Sequence, residues 1–217
     1  MANLLLPSDI NWLTIKHDSV EDVLETLQLS EPTPLHWNTG VCTILSDYWD
    51  KRQTPGSALT RAYVSVPIDG WIFVFGEGIF VRNLENPIVD EQERRAVVRS
   101  FSQNLSKLYG SIGYFTCQPR EDRFEWMWAD NGVVQRHFEW NDGTLNVQGT
   151  PIFEKEVELI EQASAGKSVL WDDIVYEILE QVCINPETVL KSIGKGTLCA
   201  TPYGVKVGLP PQPVLDL

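Results

Sequence analysis

The sequence predicts an α+β fold in which an antiparallel sheet carries helices packed on one face. Three observations predict it. A hairpin signal lies near residues 60–76, where Asp69-Gly70 separates two runs of apolar and β-branched residues in "YVSVPIDGWIFVFG". Two further turn signals, Asn131-Gly132 and Asp142-Gly143, divide a strand-rich block near 113–148 into a meander. Amphipathic helical segments lie before, between and after these blocks rather than alternating strand by strand, which argues against a doubly wound parallel sheet.

Taken in chain order, "HDSVEDVLETLQL" places Ser19 three residues ahead of Asp22, with Val20, Val23, Leu24 and Leu27 at helical spacing, predicting a capped helix over 20–28 that "EPTP" ends. "WNTGVCTILSDYWDK" puts Val41, Ile44, Leu45, Tyr48 and Trp49 on one stripe, a second helix over 37–51 weakened by Gly40.

In the hairpin, a two-residue Asp-Gly turn pairs Ile68 with Trp71, Val66 with Phe73 and Val64 with Phe75 on one face. Asp69 then needs no chemistry to account for it, because aspartate tolerates the positive φ the turn demands. Pro67 lacks an N–H, so residues 63–68 read locally as a sheet edge.

Residues 90–110 form the clearest helix. Val97, Val98, Phe101, Leu105 and Leu108 recur at three- and four-residue steps, Asp90, Glu91 and Glu93 suit the positive end of the helix dipole, and Gly110 is a natural stop.

In the meander, a three-residue loop with Gly132 in the left-handed position pairs Trp126 with Arg136, Trp128 with Val134, Phe124 with Phe138 and Glu125 with His137. A two-residue turn at Asp142-Gly143 pairs Trp140 with Leu145 and Phe138 with Val147. One face is then aromatic, with Phe124, Trp126, Trp128, Arg136, Phe138 and Trp140. The other carries Glu125, Met127, Gln135, His137 and Glu139. The aromatic face reads either as core under helices or as an exposed tryptophan platform with Arg136 stacked on it.

The last third is helical again, at 156–162, in "WDDIVYEILEQVCI", and in "NPETVLKSIG", where Asn185 caps and Pro186 takes the first helical position. The proline-rich "GLPPQPVLDL" reads as extended. The whole is expected to be a single α+β domain over 1–217, with helical N-terminal (1–55) and C-terminal (150–217) extensions of the same core.

With 217 residues, 43% of them hydrophobic, the chain can build a sizeable core. Thirty acids against 17 bases give a net charge of −13, which repels phosphate backbones and anionic lipid and attracts basic partners. Neither nucleic acid nor membrane is expected as a partner. "MANLLLPSDINWL" has no basic stretch ahead of its short apolar run, and no window approaches the roughly 18–20 apolar residues of a span, so the expected location is cytoplasmic. Cys42, Cys117, Cys183 and Cys199 are scattered without a CxxC, which fits reduced, mostly buried small hydrophobes.

Candidate chemistry is sparse. The histidines are His17, His36 and His137, and no nucleophile elbow, zincin motif, phosphate loop or dinucleotide fingerprint occurs. "GEG" at 76–78 is too short for a phosphate loop, and "GKGT" at 194–197 lacks the required spacing. Asp122, Glu125 and His137 lack recognisable metal-ligand spacing, so neither metal nor cofactor is expected. The residues proposed for binding are Trp126, Trp128, Arg136, Glu125 and His137.

"VSVPIDGWIFVFG", "LSKLYGSIGYF", "DRFEWMWADNGVVQRHFEW" and "NPETVLKSIG" together resemble a widespread family of uncharacterised bacterial proteins with a P-x-D-G-W hairpin and a Trp-bearing β-meander. The resemblance covers roughly residues 58–195 and rests on the order of the motifs. Members often carry a histidine at the position of Phe124 or Glu125, and this chain has none there. The resemblance implies the fold and a bacterial origin and supplies no activity.

The function expected is that of a non-enzymatic cytoplasmic protein-binding module, such as an immunity-type inhibitor that masks a basic toxin or effector. Two alternatives compete with it. One is a small-ligand binder or enzyme in which Glu125, Arg136 and His137 converge in a concave site. The other is a structural or accessory subunit of a larger bacterial assembly.

Overall fold

The computed structural model describes residues 9, 11–50, 54, 56–81, 83–87, 90–164, 171–183 and 196–208. The helix expected in "NPETVLKSIG" and most of the proline-rich tail lie outside the described residues.

The strands are β1 (Asn11–Lys16), β2 (Ser30–Leu35), β3 (Arg61–Ser65), β4 (Trp71–Phe75), β5 (Ser111–Gln118), β6 (Arg123–Asp130), β7 (Val133–Asn141), β8 (Thr144–Gln148) and β9 (Gly196–Ala200). The helices are α1 (Val20–Thr26), α2 (Trp37–Asp50), α3 (Glu91–Tyr109), α4 (Glu154–Ser164), α5 (Trp171–Val182) and α6 (Pro202–Val207). Among the described residues the strands join in one nine-stranded sheet of order β2-β9-β3-β4-β1-β5-β6-β7-β8, with every pairing antiparallel. This is the α+β class that the segregated hairpin, meander and helices predict.

Helices cover both faces of this sheet, where a single covered face was expected. On one face, Val41 and Ile44 of α2 and Val175, Ile178 and Leu179 of α5 pack against Trp12, Phe73, Phe75, Phe115 and Trp126. On the other, Val23 of α1 and Val98, Phe101 and Leu105 of α3 pack against Leu13, Ile15, Ile72, Val74 and Tyr114. The reason lies in the central strands. Trp12, Leu13, Ile15 and all five residues of β4 are buried, so both surfaces are apolar and both need a cover.

The segments at the two ends of the chain contribute more than helices. β1 sits between β4 and β5, and β9 lies between β2 and β3. β3 is therefore internal, and the edge expected at 63–68 is confined to the residues after Ser65, where pairing with β9 stops.

The helix signals act as anticipated. Ser19 Oγ accepts from the Asp22 N–H and Asp90 Oδ1 from the Glu93 N–H, capping α1 and α3. Gly110 closes α3 with φ +84°. Two members of the expected stripes do not reach the core: Leu108 is exposed, and so is Trp49, whose ring receives the Arg120 guanidinium at 4.3 Å. Gly40 earns its place in α2 by packing. A Cβ there would stand 2.1 Å from Tyr63 Cδ2, so the helix can lie directly on the Tyr63 ring only because the side chain is missing.

The hairpin turn is the two-residue type, with Asp69 at φ +50°, Gly70 at +77°, and both backbone hydrogen bonds between Ile68 and Trp71. Beyond it the register departs from the expected pairs: Val64 faces Val74 and Tyr63 faces Phe75. The segment between Ser65 and Ile68 holds one residue more than its partner. Pro67 cannot donate there, and the Phe73 N–H is accepted by Ser65 Oγ at 2.9 Å instead of by a backbone carbonyl. Tyr63 consequently joins Trp71, Phe73 and Phe75 on one face, while Val64 joins Ile72 and Val74 on the other.

Candidate functional site

The meander β6-β7-β8 carries all five residues singled out from the sequence, so its register decides which of them can act together. Asn131 and Gly132 both adopt positive φ, and Asp130 pairs with Val133, making the first turn a two-residue type rather than the expected three-residue loop. An extra residue on β7, Gln135, then shifts the register between Ala129↔Val134 and Trp128↔Arg136. The observed pairs are Trp128↔Arg136, Trp126↔Phe138, Phe124↔Trp140 and Glu125↔Glu139, each displaced by two residues from expectation. A shift of two preserves the faces, because side chains alternate with period two. The second turn is as expected, with Trp140 opposite Leu145 and Phe138 opposite Val147.

Trp126, Trp128 and Arg136 thus share one face, and Glu125 and His137 share the other. Arg136 does not converge with Glu125 and His137; the sheet separates them. The aromatic face is core rather than a platform. Trp126 is buried and stacks on Phe138 at 3.8 Å with planes 1° apart. Trp128 is half-buried, packs near Trp71, and donates its indole N–H to Asp130 Oδ2 at 2.9 Å.

On the α3 face, Glu125 is the centre of a buried polar network. Its Oε2 accepts from Arg94 Nη2 at 2.9 Å and Arg123 Nη2 at 3.0 Å, and its Oε1 lies 2.9 Å from His137 Nε2. Arg94 Nη1 also donates to the Tyr114 hydroxyl, which is linked in turn to Thr116 Oγ1 and Asn11 Oδ1. Burial pushes the Tyr114 hydroxyl well above the ordinary tyrosine range, partly offset by Arg94, so it stays protonated and serves as a hydrogen-bonding link. Beside this network, Arg95 Nη2 meets buried Glu139 Oε1 at 2.7 Å.

On the opposite face, Arg136 runs beneath α4. Its Nε donates to Glu156 Oε1 at 2.6 Å and its Nη1 to the carbonyls of Gln148 and Gly149 at 3.2 and 2.6 Å, while Trp126 Nε1 donates to the same Glu156 oxygen. Burial raises the Glu156 carboxyl above the usual carboxylate range, and the Arg136 hydrogen bond opposes that rise. A further charged pair, Arg61 with Asp47, ties β3 to α2 through Arg61 Nε and Asp47 Oδ2 at 2.8 Å.

Chemically, these groups are engaged with one another, and their carboxylates are shielded from solvent. Glu125, Glu139, Glu156, Arg136 and His137 are all buried. Their arrangement locks strands to helices. Sequence reasoning missed Arg94, Arg95, Arg123 and Glu156. A signal for Arg94 exists: it stands four residues before Val98 and seven before Phe101, on the buried stripe of α3.

Among the described residues, no group of three or more His, Cys, Asp or Glu side chains could hold a metal ion. Of the cysteines, Cys117 and Cys199 are buried, Cys183 is half-buried and Cys42 is exposed. No described helix is long and apolar enough to cross a membrane.

Where the meander tip meets the C-terminal helices, a cleft of about 380 Å³ opens between Trp128, Asp130, Gln135, Ile152, Phe153 and Gln181. Among the described residues its walls are an indole, an aliphatic, a phenyl and two amide side chains, and the charged group is the Asp130 carboxylate. α4 and α5 expose Glu154, Glu158, Glu161, Glu177 and Glu180, of which Glu154 and Glu180 are the chain neighbours of the lining residues Phe153 and Gln181. Compared with known proteins, the chain matches no family model, no curated protein and no solved structure.

Proposed function

We propose that the protein is a non-enzymatic cytoplasmic binding module that captures a basic protein, as an immunity-type inhibitor masks a basic toxin or effector. The observation that carries this reading is the cleft at Trp128 and Asp130, whose lining residues Phe153 and Gln181 are the chain neighbours of the exposed acids Glu154 and Glu180. An indole beside a carboxylate suits a lysine or arginine side chain, which gains a cation–π contact and an ion pair together. The exposed acids of α4 and α5 and the net charge of −13 would speed encounter with a basic surface. Trp128 keeps its place in this reading, whereas Trp126, Glu125, Arg136 and His137 act from within as supports for the surface.

The test is a comparison of two baits in lysate of the source organism, the wild type and a Glu154→Lys, Glu161→Lys, Glu180→Lys variant. All three glutamates are exposed, so the variant should keep the wild-type melting temperature to within a degree or two. The wild type should retain a basic protein that salt releases, and the variant should not. Retention of the same proteins by both baits, or of none by the wild type, would refute the reading.

A further inference from the structure

The sheet has two edges, and the chain treats them differently. At β2, "SEPTPL" holds Pro32 and Pro34, Glu31 takes φ +52°, and the pairing with β9 is irregular between Ser30 and Thr33. Prolines, a charge and a distorted register are the usual ways to stop a further strand from docking.

At β8 none of these is present. "TLNVQ" contains neither proline nor charge, its pairing with β7 is regular, and among the described residues no strand lies beyond it. The register also says which backbone groups are open. In a two-residue hairpin the pair flanking the turn exchanges both hydrogen bonds, so Thr144, Asn146 and Gln148 are bonded to Asn141, Glu139 and His137. Leu145 and Val147 therefore direct their N–H and C=O groups outward.

We infer that β8 pairs with β8 of a second copy of this chain, antiparallel and centred on Asn146, to continue the sheet across a two-fold axis. The strand is self-matching in that register. Leu145 faces Val147 of the partner subunit and Val147 faces Leu145 of the partner subunit, apolar against apolar, through four backbone hydrogen bonds. On the other face, Thr144 meets Gln148 of the partner subunit, and Asn146 meets Asn146 of the partner subunit. No like-charge contact arises within the pair, although each copy carries a net charge of −13. Pairing would also cover Val147, which is 42% exposed. Because the rest of the surface repels, association should strengthen as salt screens it.

Register makes the inference testable. In the non-hydrogen-bonded central pair the two Cα atoms lie about 4.5 Å apart, within disulfide reach. In a Cys42→Ser, Cys183→Ser background, Asn146→Cys should form a covalent dimer quickly with oxidised glutathione. Thr144→Cys and Gln148→Cys should not do so singly, but should cross-link when combined. In sedimentation velocity over a dilution series, the wild type should dimerise, more so at high salt. Val147→Pro, which removes an outward N–H, should be monomeric. Val147→Lys, which sets two ammonium groups beside the axis, should weaken the dimer at least tenfold even if the proline variant folds poorly. A wild type that stays monomeric throughout the series, or an Asn146→Cys protein that cross-links no faster than Thr144→Cys, would overturn the inference.

Discussion

Replacing Glu125 by alanine should destabilise the protein by about 3–5 kcal/mol, the cost of removing one partner from a buried ionic group. The carboxylate lies among Arg94, Arg123 and His137, and the arginine side chains are only 19% and 12% exposed. Without Glu125 both arginines would lose that buried anion in a low-dielectric layer between β6 and α3. Glu125→Gln should cost less, because the amide still supplies an oxygen to one arginine and a polar group to His137. Urea denaturation should show a lower midpoint with an unchanged slope for both variants. If Glu125→Ala folds as stably as the wild type, the network does not lock α3 to the sheet.

The second large effect belongs to the other face. Glu156→Ala should cost about 3 kcal/mol or more, because Arg136, 2% exposed, would retain only the Gln148 and Gly149 carbonyls, and Trp126 would lose its acceptor. The paired replacement Arg136→Met with Glu156→Leu should recover the part of that loss that comes from the unpaired guanidinium, since apolar side chains of similar volume often substitute for a buried ion pair, while the Trp126 N–H still lacks its acceptor. pH adds a second readout. Burial raises the Glu156 carboxyl, so between the unfolded and folded pKa values the folded chain holds a proton that the unfolded chain has released. This group's contribution to stability therefore falls as pH rises through that window and is level below it. The apolar pair should remove that part of the pH dependence.

The three Asx-Gly turns were legible because positive φ is chemically demanding: Asp69-Gly70, Asn131-Gly132 and Asp142-Gly143 all adopt it. The helix stripes were legible for the same kind of reason, with Val98, Phe101 and Leu105 buried as their spacing requires. The two added residues, one between Ser65 and Ile68 and the other at Gln135, left no comparable mark, because a bulge answers to twist and to neighbouring strands more than to its own sequence. β1 was hidden by being buried on both faces, which erases alternation. β2 was hidden by the prolines that only an edge strand tolerates. The alternation that put Glu125 and His137 on one face and Arg136 on the other was readable, but the helix residues that meet them, Arg94 and Glu156, depend on how α3 and α4 dock.

The central claim is that Glu125 with His137 and Arg136 with Glu156 are two separate supports on opposite faces of one sheet. A pair of double-mutant cycles tests it, with Glu125→Gln combined first with His137→Gln and then with Arg136→Met, each read as a change in unfolding free energy. The Glu125–His137 cycle should show a coupling on the order of 1 kcal/mol, and the Glu125–Arg136 changes should add to within about 0.5 kcal/mol. A Glu125–Arg136 coupling as large as the Glu125–His137 coupling would contradict the separation and return the three residues to a single site.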